Sequence, residues 1–115
     1  MYIVHHAHLK SQRHEGERCI AAADASLGIH GFEVCLRQLE PGAHSGEMRH
    51  DGERVVLVLA GCGKLLIDGG PQRFQAPCTV LVPPHRSAQL VNHGSEVLQM
   101  VEVRATARSA ADTSP

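Results

Sequence analysis

Four side chains able to ligate a metal or move a proton recur at intervals of three: His44, Glu47, His50 and Glu53. Imidazole and carboxylate are the donors that a zinc- or iron-type ion takes when three or more converge. A helix would gather this series on one face, but Gly42, Gly46 and Gly52 interrupt it and disfavour a helix. His50 has a second use, because histidine titrates near neutral pH and serves as a general base without any metal. His85 follows Pro83-Pro84, and His93 sits in Asn92-His93-Gly94; both are expected exposed on turns. His5, His6 and His8 form another cluster, in which His6 and His8 would share one face of a strand, exposed or at a subunit interface. Cys19, Cys35, Cys62 and Cys78 contain no CxxC pair and are expected as free thiols in a reducing cytoplasm. Cys62, between Gly61 and Gly63, is expected on an exposed turn.

The elements that hold these residues belong to one domain, since the chain has 115 residues. A domain of this size buries roughly two-thirds of its unfolded surface, enough for one core without staples. With 43% hydrophobic and 20% charged residues the composition is that of a soluble globular protein. A net charge of −1 argues against nucleic acid, which demands a basic patch. With no Trp, one Tyr and two Phe there is no platform for stacking bases and little for sugar rings. No apolar stretch approaches the roughly 18 residues that span a membrane. The start, Met1-Tyr2-Ile3-Val4-His5-His6, lacks the basic stretch and apolar run of a signal peptide. The expectation is a cytoplasmic protein without a membrane partner.

Turn signals fall at Pro41-Gly42, Gly61-Cys62-Gly63, Asp68-Gly69-Gly70, Pro83-Pro84 and Asn92-His93-Gly94. Between them lie short runs rich in Val, Leu and Ile, which predicts an all-β sandwich or barrel. In Phe32–Leu39, Phe32, Val34 and Leu36 share one face, and Glu33, Cys35 and Arg37 the other, which points to water or to a cavity. The polar positions in Glu96–Val103 fall at irregular parity, so this strand is expected to be covered on both faces. Asp68-Gly69 predicts a tight hairpin between Leu65–Ile67 and Arg73–Gln75. Ile20–Ala25, alanine-rich, has helical leanings; Arg13, Glu15, Glu17 and Arg18 read as a solvated loop. Residues 1–30 form N-terminal strands and loop, 31–103 the barrel, and 104–115, small and polar, a flexible tail.

Glu40-Pro41-Gly42, a polar loop and Arg54-Val55-Val56-Leu57-Val58-Leu59-Ala60-Gly61 resemble the first conserved motif of cupins; Val80-Leu81-Val82-Pro83-Pro84-His85 followed by Asn92-His93-Gly94 is similar to the second. The resemblance implies a double-stranded β-helix, a jelly-roll-like barrel of the RmlC-like kind, and a homodimer in which terminal segments pair. It also implies four metal-ligand positions: two histidines, a glutamate and a third histidine. Counted from Gly42, Gly61 and Asn92, those positions hold Met48, His50, Arg54 and Ala88, and a family glycine is replaced by His85. Three of the four ligands are therefore altered. Arg54 brings a charge that cannot be removed, Met48 a soft thioether, and Ala88 no donor.

No conventional metal, and no other cofactor, is expected from this pattern. The leading expectation is a small-molecule site, with an anionic ligand held by Arg54 between Met48 and Ala88 and His50 as the base of a proton transfer: an isomerisation, cyclisation or elimination. Arg54 could equally take an internal partner from Glu33, Glu47 or Glu102. A one-residue shift near Asp51-Gly52 would turn Glu53 inward instead of Arg54. Two alternatives stand beside it. One is a dioxygenase- or isomerase-like metalloenzyme in which His50 is joined by His44, Glu47, Glu53 or His85. The other is a non-enzymatic binding or regulatory module.

Overall fold

The computed structural model describes residues 3–46 and 48–106, Met48 by its backbone alone. Within them run ten strands: β1 (Ser11–His14), β2 (Glu17–Ala23), β3 (Phe32–Leu39), β4 (Met48–Arg49), β5 (Arg54–Ala60), β6 (Cys62–Ile67), β7 (Gly70–Gln75), β8 (Cys78–Val82), β9 (Ser87–Val91) and β10 (Leu98–Ala105). They form two antiparallel sheets, ordered β1-β2-β3-β10-β5-β8 and β4-β9-β6-β7. Leu39, Val56, Val58, Val80, Val82, Leu98 and Met100 from the larger sheet pack on Leu65, Ala88 and Leu90 from the smaller. This is the all-β, jelly-roll-like barrel that the run of short strands predicts. No helix among the described residues is long and apolar enough to cross a membrane.

Backbone chemistry fixes the corners. Asp68 and Gly69 take φ 53° and 79°, the left-handed pair of a tight hairpin, and join β6 to β7 with Ile67 opposite Gly70. Asn92, fully buried, donates to the carbonyls of Leu39 (2.9 Å) and Glu96 (2.8 Å) and accepts from Gly94 N–H. Its own carbonyl accepts from Gly42 N–H at 3.0 Å, so the two motif turns are clasped together. Gly52 is required by space: a Cβ there would lie 2.6 Å from the Ala105 carbonyl oxygen.

Several local expectations are corrected. Ile20–Ala25 is not helical; Ile20 and Ala21 pair with Leu36 and Cys35 in β2, and ladder pairing overrides alanine's modest propensity. Asp24 caps only a single 3₁₀ turn, Ala25–Leu27, closed by Gly28 at φ 88°. The stretch read as a solvated loop is the β1–β2 hairpin, turned by Glu15 and Gly16 at positive φ. His6 and His8 lie in an exposed 3₁₀ turn rather than a strand. Cys62 is half-buried and opens β6 instead of sitting on a turn. Arg104 and Ala105 complete β10, and Thr106 Oγ1 donates to His30 O at 2.8 Å; the remainder of the expected tail lies outside the described residues.

The interior is divided by polarity. Along β3, Leu39, Arg37 and Cys35 point inward; along β10, Leu98, Met100 and Glu102 do; along β5, Val58, Val56 and Arg54 do. One end of the barrel is thus packed hydrocarbon. The end where β3 and β5 begin and β10 finishes is charged.

Candidate functional site

The strand register places Met48 directly opposite Ala88 across β4 and β9. Arg54 opens β5 and faces inward at 3% exposure, whereas Glu53 is exposed; the shifted register is not adopted. Arg54 Nη2 donates to the Arg86 carbonyl at 3.2 Å. Burial first, then the Arg104 and Arg37 guanidinium groups, hold Arg54 below the ordinary arginine range, and Glu102 offsets only part of this. His50 is half-buried in the β4–β5 connection, its Nδ1 accepting from Gly52 N–H at 3.0 Å. The same Nδ1 lies 3.3 Å from the Gly52 carbonyl oxygen, so the tautomer protonated at Nδ1 donates there instead and leaves Nε2 free to accept a proton. The His50 carbonyl accepts from His85 N–H at 2.8 Å, which ties the first motif loop to the second.

The other candidate ligands scatter. His44 forms an isolated bridge with Val91, is exposed, and has Nδ1 3.2 Å from Gln89 Nε2. His85 is exposed at φ 64°, the left-handed region that suits the family's glycine, with Nδ1 3.4 Å from Asp51. Glu47 lies outside the described residues. Among the described residues, no three His, Cys, Asp or Glu side chains are grouped to hold a metal ion. The donor set at the family positions does not fit the family's metal: a buried guanidinium replaces the carboxylate, and Ala88 offers no donor.

A charged network, not singled out from the sequence as a site, crosses the inner face of the larger sheet. Arg37 reaches Glu102 at 2.9 Å through Nη2 and Glu17 at 3.3 Å through Nη1. Burial works against the Arg37 charge, but Glu102, Cys19, Glu17 and Cys35 outweigh it and hold it above the usual range. Arg104 pairs with Glu33 at 3.2 Å. Beside this network, β2 and β3 open into a cleft of about 400 Å³ whose lining includes Lys10, Cys19, Asp24, Cys35, Arg37 and Arg104. The alternation of Glu33, Cys35 and Arg37 is the signal that marks this face; only the tertiary fold decides that it turns inward.

Comparison with known proteins agrees with the geometry. A family model described as "Cupin domain" matches residues 35–104. A cupin 2 conserved barrel domain protein from Salinispora arenicola is 25% identical, with 97% of this chain and 92% of that chain covered and a TM-score of 0.76. The polyketide cyclase RemF from Streptomyces resistomycificus is 18% identical over 91% of this chain and 79% of its own, with a TM-score of 0.76. A cupin-superfamily sugar phosphate isomerase from Silicibacter pomeroyi is 25% identical over 79% of this chain and 60% of its own, with a TM-score of 0.69. The comparison with curated proteins returned no match. With the family model spanning well over half of the chain and both motif turns clasped through Asn92, this protein belongs to the cupin superfamily.

Proposed function

We propose that this cupin binds a small anionic organic molecule in its barrel without the family's usual metal, and uses His50 to transfer a proton on it. The observation that carries this reading is Arg54: a guanidinium, 3% exposed, standing where the family places a carboxylate ligand. Its surroundings leave its charge less stable than in water, first because burial strips it of solvent and then because Arg104 and Arg37 act against it, with Glu102 compensating only partly. A carboxylate or phosphate entering there would match the planar fork of the side chain. In the tautomer that donates from Nδ1 to the Gly52 carbonyl, His50 leaves Nε2 free to take up the proton. Met48 and Ala88, paired across β4 and β9, mark the level of the barrel at which the ligand is proposed to sit. The chemistry is of the isomerase, cyclase or lyase type. The solved relatives include a polyketide cyclase and a sugar phosphate isomerase, which is in keeping with such reactions.

The reading includes a cytoplasmic location, to which four free cysteines are suited, and a homodimer. Dimerisation is assigned to the outer face of the larger sheet. There, Leu81, Val55, Val103 and Val34 form one cross-strand row, and Leu57, Val101, Leu36 and Ile20 another. Leu81 is 69% and Leu59 60% exposed, a degree of apolar exposure suited to an interface.

The test is a thermal-shift series with simple carboxylates and phosphate monoesters on the wild type, Arg54→Met and His50→Ala. Stabilisation by at least one anion class that disappears in Arg54→Met is expected. His50→Ala should keep the binding and lose the turnover. Retention of both functions in both variants would refute the proposal.

A further inference from the structure

The inner face of the larger sheet carries two thiols that the proposed barrel site does not use. Cys19 on β2 faces Arg37 on β3, and Ala21 faces Cys35, so Cys19 and Cys35 are diagonal neighbours on one face. The same diagonal sense brings Glu17 within 3.3 Å of Arg37 one step along the strands. It sets the two thiols side by side on that face, where the Cys35 thiol also donates to the Leu36 carbonyl at 3.7 Å. Both line the cleft of about 400 Å³, so a small molecule can reach them although Cys35 itself is only 8% exposed. A thiol beside a guanidinium and reachable from a cleft is in a setting of the kind that makes cysteine reactive.

We propose that Cys19 and Cys35 are a peroxide-reactive thiol pair, with Cys35 the attacking sulfur and Cys19 the resolving one. The Cys35 thiolate attacks the nearer peroxide oxygen. The S–O bond forms, the O–O bond breaks, and the leaving alkoxide or hydroxide takes a proton from solvent. Cys19 then gives up its proton and attacks the Cys35 sulfur. The S–S bond forms, the S–O bond breaks, and the departing hydroxide leaves with that proton as water. Two thiols are oxidised and one peroxide is reduced to an alcohol or water. A dithiol reductant restores the pair by exchange.

The electrostatics support these roles. The Cys19 thiol, donating to Cys35, and the Arg37 charge lower Cys35 to about 6, against burial and Glu102. Cys19, as the donor, is pushed up. The charged groups around the pair are Glu17 on β2, Glu33 and Arg37 on β3, Glu102 and Arg104 on β10, and Lys10 and Asp24 of the flanking segments.

The experiment treats reduced full-length protein with hydrogen peroxide and follows all four cysteines by peptide mapping, so Cys62 and Cys78 serve as internal references in the unaltered protein. Cys35 should react about tenfold faster than either reference at pH 7. The product should be a Cys19–Cys35 crosslink that dithiothreitol reverses. In Cys19→Ser, a dimedone adduct should accumulate at Cys35. Equal rates at the four thiols, a crosslink joining other cysteines, or irreversible oxidation of Cys35 with Cys19 untouched would each overturn the proposal. The wild-type rates and crosslink decide the matter even if a variant fails to fold.

Discussion

Arg37 shows how a single buried charge is held. Its guanidinium is 6% exposed and lies between Glu102, 3% exposed, and Glu17, 16% exposed. Removing it leaves two carboxylates with little water to solvate them, so Arg37→Ala should cost about 3–5 kcal/mol in urea unfolding. Combining Arg37→Met with Glu102→Leu should cost much less than the sum of the two single changes, because the charge and its buried partner leave together. The thiols give a pH test. Since Cys35 titrates near 6, its alkylation by iodoacetamide should be on a plateau above pH 7 and fall as pH drops through about 6. A rate that still climbs steeply between pH 7 and 9 would show that no such thiolate exists. At this scale the sequence was informative about residue type and poor about partner. Arg54 at a ligand position is visible from spacing alone, but that Arg37 rather than Arg54 takes the direct contact with Glu102 depends on a diagonal between β3 and β10.

At the scale of elements, turns were more legible than strand faces. Asp68-Gly69 reads as a hairpin because few residues tolerate its dihedral angles, and φ values of 53° and 79° are what it adopts. The faces of β3 were ambiguous, since alternation shows which residues go together but not which set turns inward. Here the apolar set, Phe32, Val34 and Leu36, turns out, and Cys35 and Arg37 turn in. The alanine run of β2 misled because short-range propensity is weak against a complete ladder with β3. Two backbone positions, Gly52 and His85, carry predictions. Gly52→Ala should destabilise by about 1–3 kcal/mol, as its Cβ would sit 2.6 Å from the Ala105 carbonyl. His85→Gly should stabilise by about 1 kcal/mol, because it relieves a non-glycine residue at φ 64°. Chemical denaturation measures both.

For the whole molecule, the polarity of the larger sheet is the organising feature. Its inner face is charged at one end, and its outer face is covered with aliphatic side chains. A monomer with that outer face in water would expose Leu57, Leu59 and Leu81 together, at 39%, 60% and 69%. Light scattering should find a dimer, and Leu81→Lys should yield a folded monomer, since Leu81 makes little contact within its own chain. A wild-type monomer at tens of micromolar would remove that assignment. The family barrel was legible from the two motifs because their glycines, prolines and Asn92 are demanded by backbone geometry. Its contents were less so, because the same barrel accepts many side chains at the four ligand positions.

The central claim is that the barrel site around Arg54 works without the family's metal. The most direct measurement is elemental analysis of untagged, full-length protein in which His5, His6 and His8 are changed to alanine, so that the exposed N-terminal cluster cannot collect ions. The account predicts far less than one metal per chain, unchanged by His50→Ala. One tightly held metal per chain, lost on changing His50, would contradict it.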